Sequence, residues 1–150
     1  MHLTTHAHAH TPAAADAAAL PTREHGIRLL EGWTALWNGE FARAEQILTP
    51  GFRLRFANTV EGTGADSTLA HGSLIAFIAA HRRTRTGLTY ALDGAPVVDG
   101  AHGQLATRWT ATYTDGSGTP VTKSGIDMCS VADGRISAVW SLTGDRRFAA

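Results

Sequence analysis

The sequence predicts an α+β domain with helices packed on one face of a curved sheet. Three observations carry this. Apolar residues recur at helical spacing only in the first part of the chain, up to Arg85. Beyond it, stretches rich in Thr, Val, Ile, Tyr and Trp alternate with Asp-Gly and Gly-rich turns. No internal repeat stands out, and 150 residues suit a single hydrophobic core. Helices grouped early and hairpins grouped late are the signature of segregated α and β layers.

Residues 1–22 stand apart as a tail rich in Ala, His and Thr, with one charge, Asp16. It buries too little apolar surface to offset the entropy of ordering, so the folded domain is expected over 23–150 and the tail as a mobile extension. It lacks the basic n-region and continuous apolar run of a signal peptide. His2, His6, His8 and His10 invite a metal reading, but a floppy segment offers no fixed geometry, and no metal site is expected there.

From Arg23 to Asn38, Leu29, Leu30, Trp33, Leu36 and Trp37 share one helical arc, and Asn38-Gly39 is a natural stop. A short second helix places Phe41, Ala44, Ile47 and Leu48 on one side and is expected to end at Pro50-Gly51. Phe52 to Phe56 alternates strictly and reads as a half-buried strand, with Arg53 and Arg55 outward. The Gly- and Thr-rich segment 58–71 is longer than a packing connection needs, which makes it a candidate mouth or lid. A third helix is expected from Ser73 as N-cap, with Leu74, Phe77, Ile78 and His81 inward and Arg82, Arg83 and Arg85 at its end. Strands follow over 88–92, 96–98, 104–114, 120–132 and 135–142. The Asp-Gly pairs at 93, 99, 115 and 133 supply the positive φ of tight turns.

Thirteen basic and thirteen acidic residues cancel. That argues against nucleic acid, which needs a cationic footprint, and against adhesion to anionic membranes. No apolar run is long enough to span a bilayer. A single cysteine, Cys129, gives no internal disulfide and no pointer to an oxidising compartment, so a cytoplasmic location is expected. Of eight histidines, four lie in the tail.

The order of "GWTALWNGEFARAEQIL", a strand, "HGSLIAFI" and a closing "GIDMCSVADGRISAVWSL" resembles the SnoaL-like branch of the nuclear transport factor 2-like, or ketosteroid isomerase-like, superfamily. The resemblance runs from Arg23 to Arg147. Its sharpest piece is the last hairpin, with Asp127 six residues before Asp133-Gly134, then Arg135-Ile136 and Trp140. It implies a cone-shaped, bent antiparallel sheet wrapped around the long first helix (a cystatin-like α+β barrel). A homodimer through the sheet, a pocket for a small hydrophobic molecule and no cofactor are implied with it. Activities of such proteins include isomerisation, cyclisation and lyase chemistry, and some members only bind.

The resemblance makes Asp127 the general acid/base. Strand alternation allows its side chain either face, an apolar cavity or water. In a cavity its pKa would rise toward neutrality, where it could exchange protons. Trp33, Trp37, Trp109 and Trp140 are ordinary core residues one by one, but in a cone they would converge as flat walls for a ligand. Tyr90 and Tyr113 are candidate donors to a carbonyl or enolate oxygen. His71, beside the mouth segment, is preferred over His81 as a second acid/base. Cys129 shares the strand face of Asp127 and is expected to be inert packing. Where cyclases of this group read Gly-Thr-His, this chain reads Tyr113-Thr114-Asp115, which places Asp115 at a surface turn. The sequence thus leaves three readings: a cofactor-independent isomerase or lyase, a ligand-binding module without chemistry, and a dimerisation module.

Overall fold

The structure, a computed structural model, describes residues 20–63 and 68–150. The expectations for the His-rich tail up to residue 19 and for residues 64–67 of the mouth segment lie outside them.

Helix α1, Arg23–Trp37, starts where Thr22 Oγ1 accepts the His25 amide at 3.1 Å, satisfying one of the free donors of the first turn. Its buried face carries the predicted Leu29, Leu30, Trp33, Leu36 and Trp37. Each such side chain contributes about 1.5–3 kcal/mol on burial. Two glycines bring the helix close to its neighbours. A Cβ at Gly26 would press on Leu105 and Val98, and one at Gly32 on Ile47. The helix ends at Asn38, and Gly39 turns the chain with φ +101°.

Helix α2, Arg43–Ile47, is shorter than its apolar pattern suggests, because strand β1, Leu48–Phe56, begins at once. Pro50-Gly51 therefore lies inside β1 rather than ending a helix. It occupies a register irregularity between Leu48 and Arg53, where a strand tolerates proline. Strand β2, Thr68–Ala70, emerges from the segment read as loop. Helix α3, His71–Arg83, starts two residues before the expected Ser73 cap. Ala70 is the capping position, and the Ser73 hydroxyl donates back to its carbonyl.

Strands β3 (Thr86–Leu92), β4 (Val97–Asp99), β5 (Gln104–Thr114), β6 (Pro120–Ala132) and β7 (Arg135–Thr143) follow as the turn residues predict. Asp133 (φ 51°) and Gly134 (φ 70°) make the tight β6–β7 turn. Asp93-Gly94, by contrast, joins two strands that both run antiparallel to β5, so it kinks an edge rather than closing a hairpin. Asp99-Gly100 leads into a 3-10 turn at Gly100–His102, whose end at Gly103 has φ 61°.

The strand order is β2-β1-β7-β6-β5-β3, with β4 also on β5. The sheet is antiparallel throughout except that β1 runs parallel to β7. Those two strands are far apart in sequence, so no hairpin dictates their relative direction. Register irregularities in β1, β3 and β6 bend the sheet around α1. The expected cone is thus present. The main core packs α1 and α3 against Phe52, Leu54, Leu105, Cys129, Ile136 and Val139 of the concave face. The end of α1 is pinned to β3: Asn38 Nδ2 donates to the Tyr90 carbonyl at 2.9 Å, and Asn38 Oδ1 accepts the Tyr90 amide at 2.8 Å. No helix among the described residues is long and apolar enough to cross a membrane.

Candidate active site

Between α1, α3 and the concave face lies a cavity of about 240 Å³. Residues 58–61 of the predicted mouth segment line it. Asp127 of β6 points into it and is only 5% exposed. Its neighbours Ile126 and Met128 face outward, 43% and 48% exposed, so the ambiguity of the strand resolves with the aspartate inside.

Both carboxylate oxygens are engaged. Trp33 Nε1 of α1 donates to Oδ2 at 2.8 Å, and Trp109 Nε1 of β5 donates to Oδ1 at 3.0 Å. Ser141 lies directly opposite on β7. Burial pushes the Asp127 carboxyl above the ordinary carboxylate range, and the neighbouring Ser141, Trp33 and Trp109 side chains pull it only partly back. No cation pairs with it among the described residues. An acid so placed holds its proton more firmly than a surface carboxyl, yet its anion is pre-solvated by fixed donors.

Gly125 makes this geometry possible. It sits opposite Trp109 in the β5–β6 register, and a Cβ there would fall 2.0 Å from Cζ2 of the indole, a clash the ring must yield to. Without one, the indole lies across the strand and reaches Asp127 two residues along.

Aromatic rings form the wall. Trp33 meets Trp37 edge-on at 5.8 Å, Trp37 meets Tyr90 at 5.4 Å, and Tyr90 meets Trp109 at 5.4 Å. Tyr113 lines the cavity further along β5. Burial, ahead of the neighbouring charges, raises the Tyr90 phenol well above its usual value, so it remains a neutral O–H donor. Five of the six predicted ligand-binding aromatics therefore converge.

Trp140 does not. It pairs with Met128 across β6 and β7, which puts it on the outer face, 47% exposed, with the Arg55 guanidinium 5.6 Å above its ring. Its neighbour Ser141 takes the inward place, because successive strand residues face opposite sides. His71 is also elsewhere. It opens α3 with Nε2 4.0 Å from Glu45 Oε1 and does not line the cavity. The histidine on the wall is His81, ten residues and about 15 Å further along the helix. His81 Nε2 lies 3.2 Å from the Tyr90 hydroxyl, and its ring stacks on Phe77 at 5.8 Å.

Burial lowers the His81 pKa to about 4, helped by the positive charges of Arg85, Arg82 and Lys123. It is therefore neutral at physiological pH. Because the folded value lies below the free one, the unfolded chain takes up the proton first. Stability present above pH 6.5 is lost as pH falls toward 4. His81 is partly exposed, so screening keeps the loss to about 1–2 kcal/mol. His81→Phe, which keeps the stack on Phe77, should show a smaller drop in melting temperature between pH 7 and 4 than the wild type. Equal drops in both proteins would refute this.

Asp115 takes the turn role predicted for it. Its Oδ1 accepts the Ser117 and Thr119 amides and the Ser117 hydroxyl, and these bonds, led by the Ser117 hydroxyl, hold its carboxyl below the usual value. Cys129 is fully buried in the core, and burial raises its thiol well above the ordinary value. Among the described residues, no three His, Cys, Asp or Glu side chains gather where a metal ion could be held. Sequence reasoning missed Thr107 and Ser141 on the inward face. Counting by twos from Trp109 on β5, or across the register from Asp127, reaches both.

The pattern of the SnoaL-like domain matches residues 28–139, most of the chain. The protein belongs to the SnoaL-like family. Solved structures agree in fold. PrhC from Penicillium brasilianum superposes with a TM-score of 0.69 at 15% identity, covering 83% of each chain. TsrD from Streptomyces laurentii gives 0.66 at 22% identity, covering 82% of this chain and 90% of its own. A candidate SnoaL-like polyketide cyclase from Jannaschia sp. CCS1 gives 0.64 at 16% identity, covering 87% and 91%. No curated protein matches the chain in sequence. At these identities the likeness establishes the cone of the SnoaL-like fold and leaves the chemistry to the site itself.

Proposed function

We propose that this SnoaL-like protein binds a small hydrophobic carbonyl compound in the cone and acts on it without a cofactor, as an isomerase, cyclase or lyase. Asp127 is the acid/base of this reading. The observation that supports it is a buried, unpaired carboxylate held by two indole N–H groups on the wall of an aromatic cavity. The carboxylate removes a proton from the carbon beside the carbonyl, and the neutral Tyr90 hydroxyl, next to His81, donates to the developing enolate oxygen. The anionic carboxylate becomes the carboxylic acid and returns the proton at a second carbon.

The test needs no knowledge of the final product. Fused-ring ketones that stabilise the protein thermally are incubated in heavy water, and deuterium uptake beside the carbonyl is followed by NMR. Uptake should depend on protein and vanish in Asp127→Asn. Binding without uptake would favour the second reading, a non-catalytic ligand-binding module. The commitment of Asp115 to a turn favours that reading, since the position where cyclases of this group carry a histidine supplies no second polar group to the cavity.

A homodimer through the outer face of the sheet belongs to the same proposal. Ile126, Met128, Trp140 and Leu142 are all 43–52% exposed and adjacent on β6 and β7, a patch that water covers poorly. Met128→Glu should convert a dimer to a monomer in sedimentation while leaving the melting temperature of the monomer unit little changed. A wild-type protein that sediments as a monomer at high concentration would overturn the dimer.

A further inference from the structure

The cavity is chemically lopsided. Asp127 and its indoles close one end. At the other, Lys123 and Arg85 line the wall. Lys123 is the only lysine in the chain, and it lies on the inward side of β6 with Gly125 and Asp127. About 13 Å of strand separates its Cα from that of Asp127. Arg85 uses Nη1 on the His81 carbonyl at 3.2 Å and the Thr84 hydroxyl at 3.0 Å, and its guanidinium sits 5.6 Å over the Tyr113 ring.

Neither cation forms an ion pair among the described residues. Glu61 is the one other acidic side chain among the described lining, and it is exposed on the mouth segment. The field at this end is positive enough that Arg85, Arg82 and Lys123 all disfavour protonation of His81. Trp37 packs against His81 and Tyr90 on the same stretch of wall and supplies apolar surface there.

We propose that the ligand is an amphipathic carboxylic acid, whose carboxylate is received by Lys123 and Arg85 while its apolar body runs along the aromatic wall toward Asp127. This names the ligand class for the cavity assigned above and rests on that assignment. Two cations without a carboxylate partner among the described residues, in a partly dehydrated cleft, favour an anion, and the planar guanidinium matches a carboxylate in shape. The stem of Lys123 adds apolar surface beneath its charge.

Calorimetric titration with 2-naphthoic acid and with its methyl ester separates charge from shape. The wild type at low ionic strength should bind the acid about tenfold tighter than the ester, with the preference shrinking as salt is added. The double variant Lys123→Met/Arg85→Met should bind both equally and keep the wild-type affinity for the ester. Asp127→Asn should retain the preference, so loss of proton exchange and loss of acid selectivity report on separate claims. Equal binding of acid and ester by the wild type, failure of the acid to bind, or survival of the preference in the double variant would overturn the proposal.

Discussion

Replacing Asp127 by asparagine is expected to slow protein-dependent deuterium uptake into a bound ketone by about 10²–10⁴-fold, the range for loss of a positioned acid/base. Affinity should change far less, because the amide keeps the volume and one acceptor oxygen. The indoles of Trp33 and Trp109 now compete for it, since both can only donate. The fold should survive, with a stability change within about 2 kcal/mol. The pH profile sharpens the test. The folded Asp127 carboxyl holds its proton above the ordinary range, so its contribution to stability is fully present below the unfolded value. It is lost as pH rises through the folded one. This slope opposes that of His81, and only Asp127→Asn removes it. Undiminished exchange in the variant would refute the acid/base role.

The second large effect comes from adding one methyl group. Gly125→Ala puts a Cβ where the Trp109 indole lies. The ring must swing off the strand, and the hydrogen bond to Asp127 Oδ1 is lost with it. Overpacking and a stripped buried carboxylate together should cost about 3 kcal/mol in urea melts. Cavity ligands should bind weakly or not at all. The cause can be isolated with a double-mutant cycle: in a Trp109→Ala background, Gly125→Ala should cost almost nothing. A full cost in that background would show that the strain lies in the backbone instead.

Much of this was legible in the residues. The arc of Leu29, Leu30, Trp33, Leu36 and Trp37 specified how α1 would lie, and Asp133-Gly134 marked the last hairpin. What period-2 alternation left open was the face of β6, since Ile126 and Met128 are as apolar as any core pair. The two indole donors decide it, and they come from residues 94 and 18 positions away. No local pattern reports such partners. Trp140 misleads for the complementary reason: a large aromatic on an outer face reads like a core residue. His71 and His81 differ only in which end of α3 meets the cavity. Tertiary packing decides that, and the position of His71 beside the mouth segment does not report it. The parallel alignment of β1 with β7 follows from tertiary packing alone.

The pairing of Asn38 with Tyr90 also bears on how the molecule avoids sticking to itself. Strand β3 is one border of the sheet, and its outward backbone groups could recruit a foreign strand. The Asn38 amide answers both groups of Tyr90 with a donor and an acceptor, as a neighbouring strand would. One helix-end side chain thus plugs the border at its middle, closing a route to aggregation through strand addition.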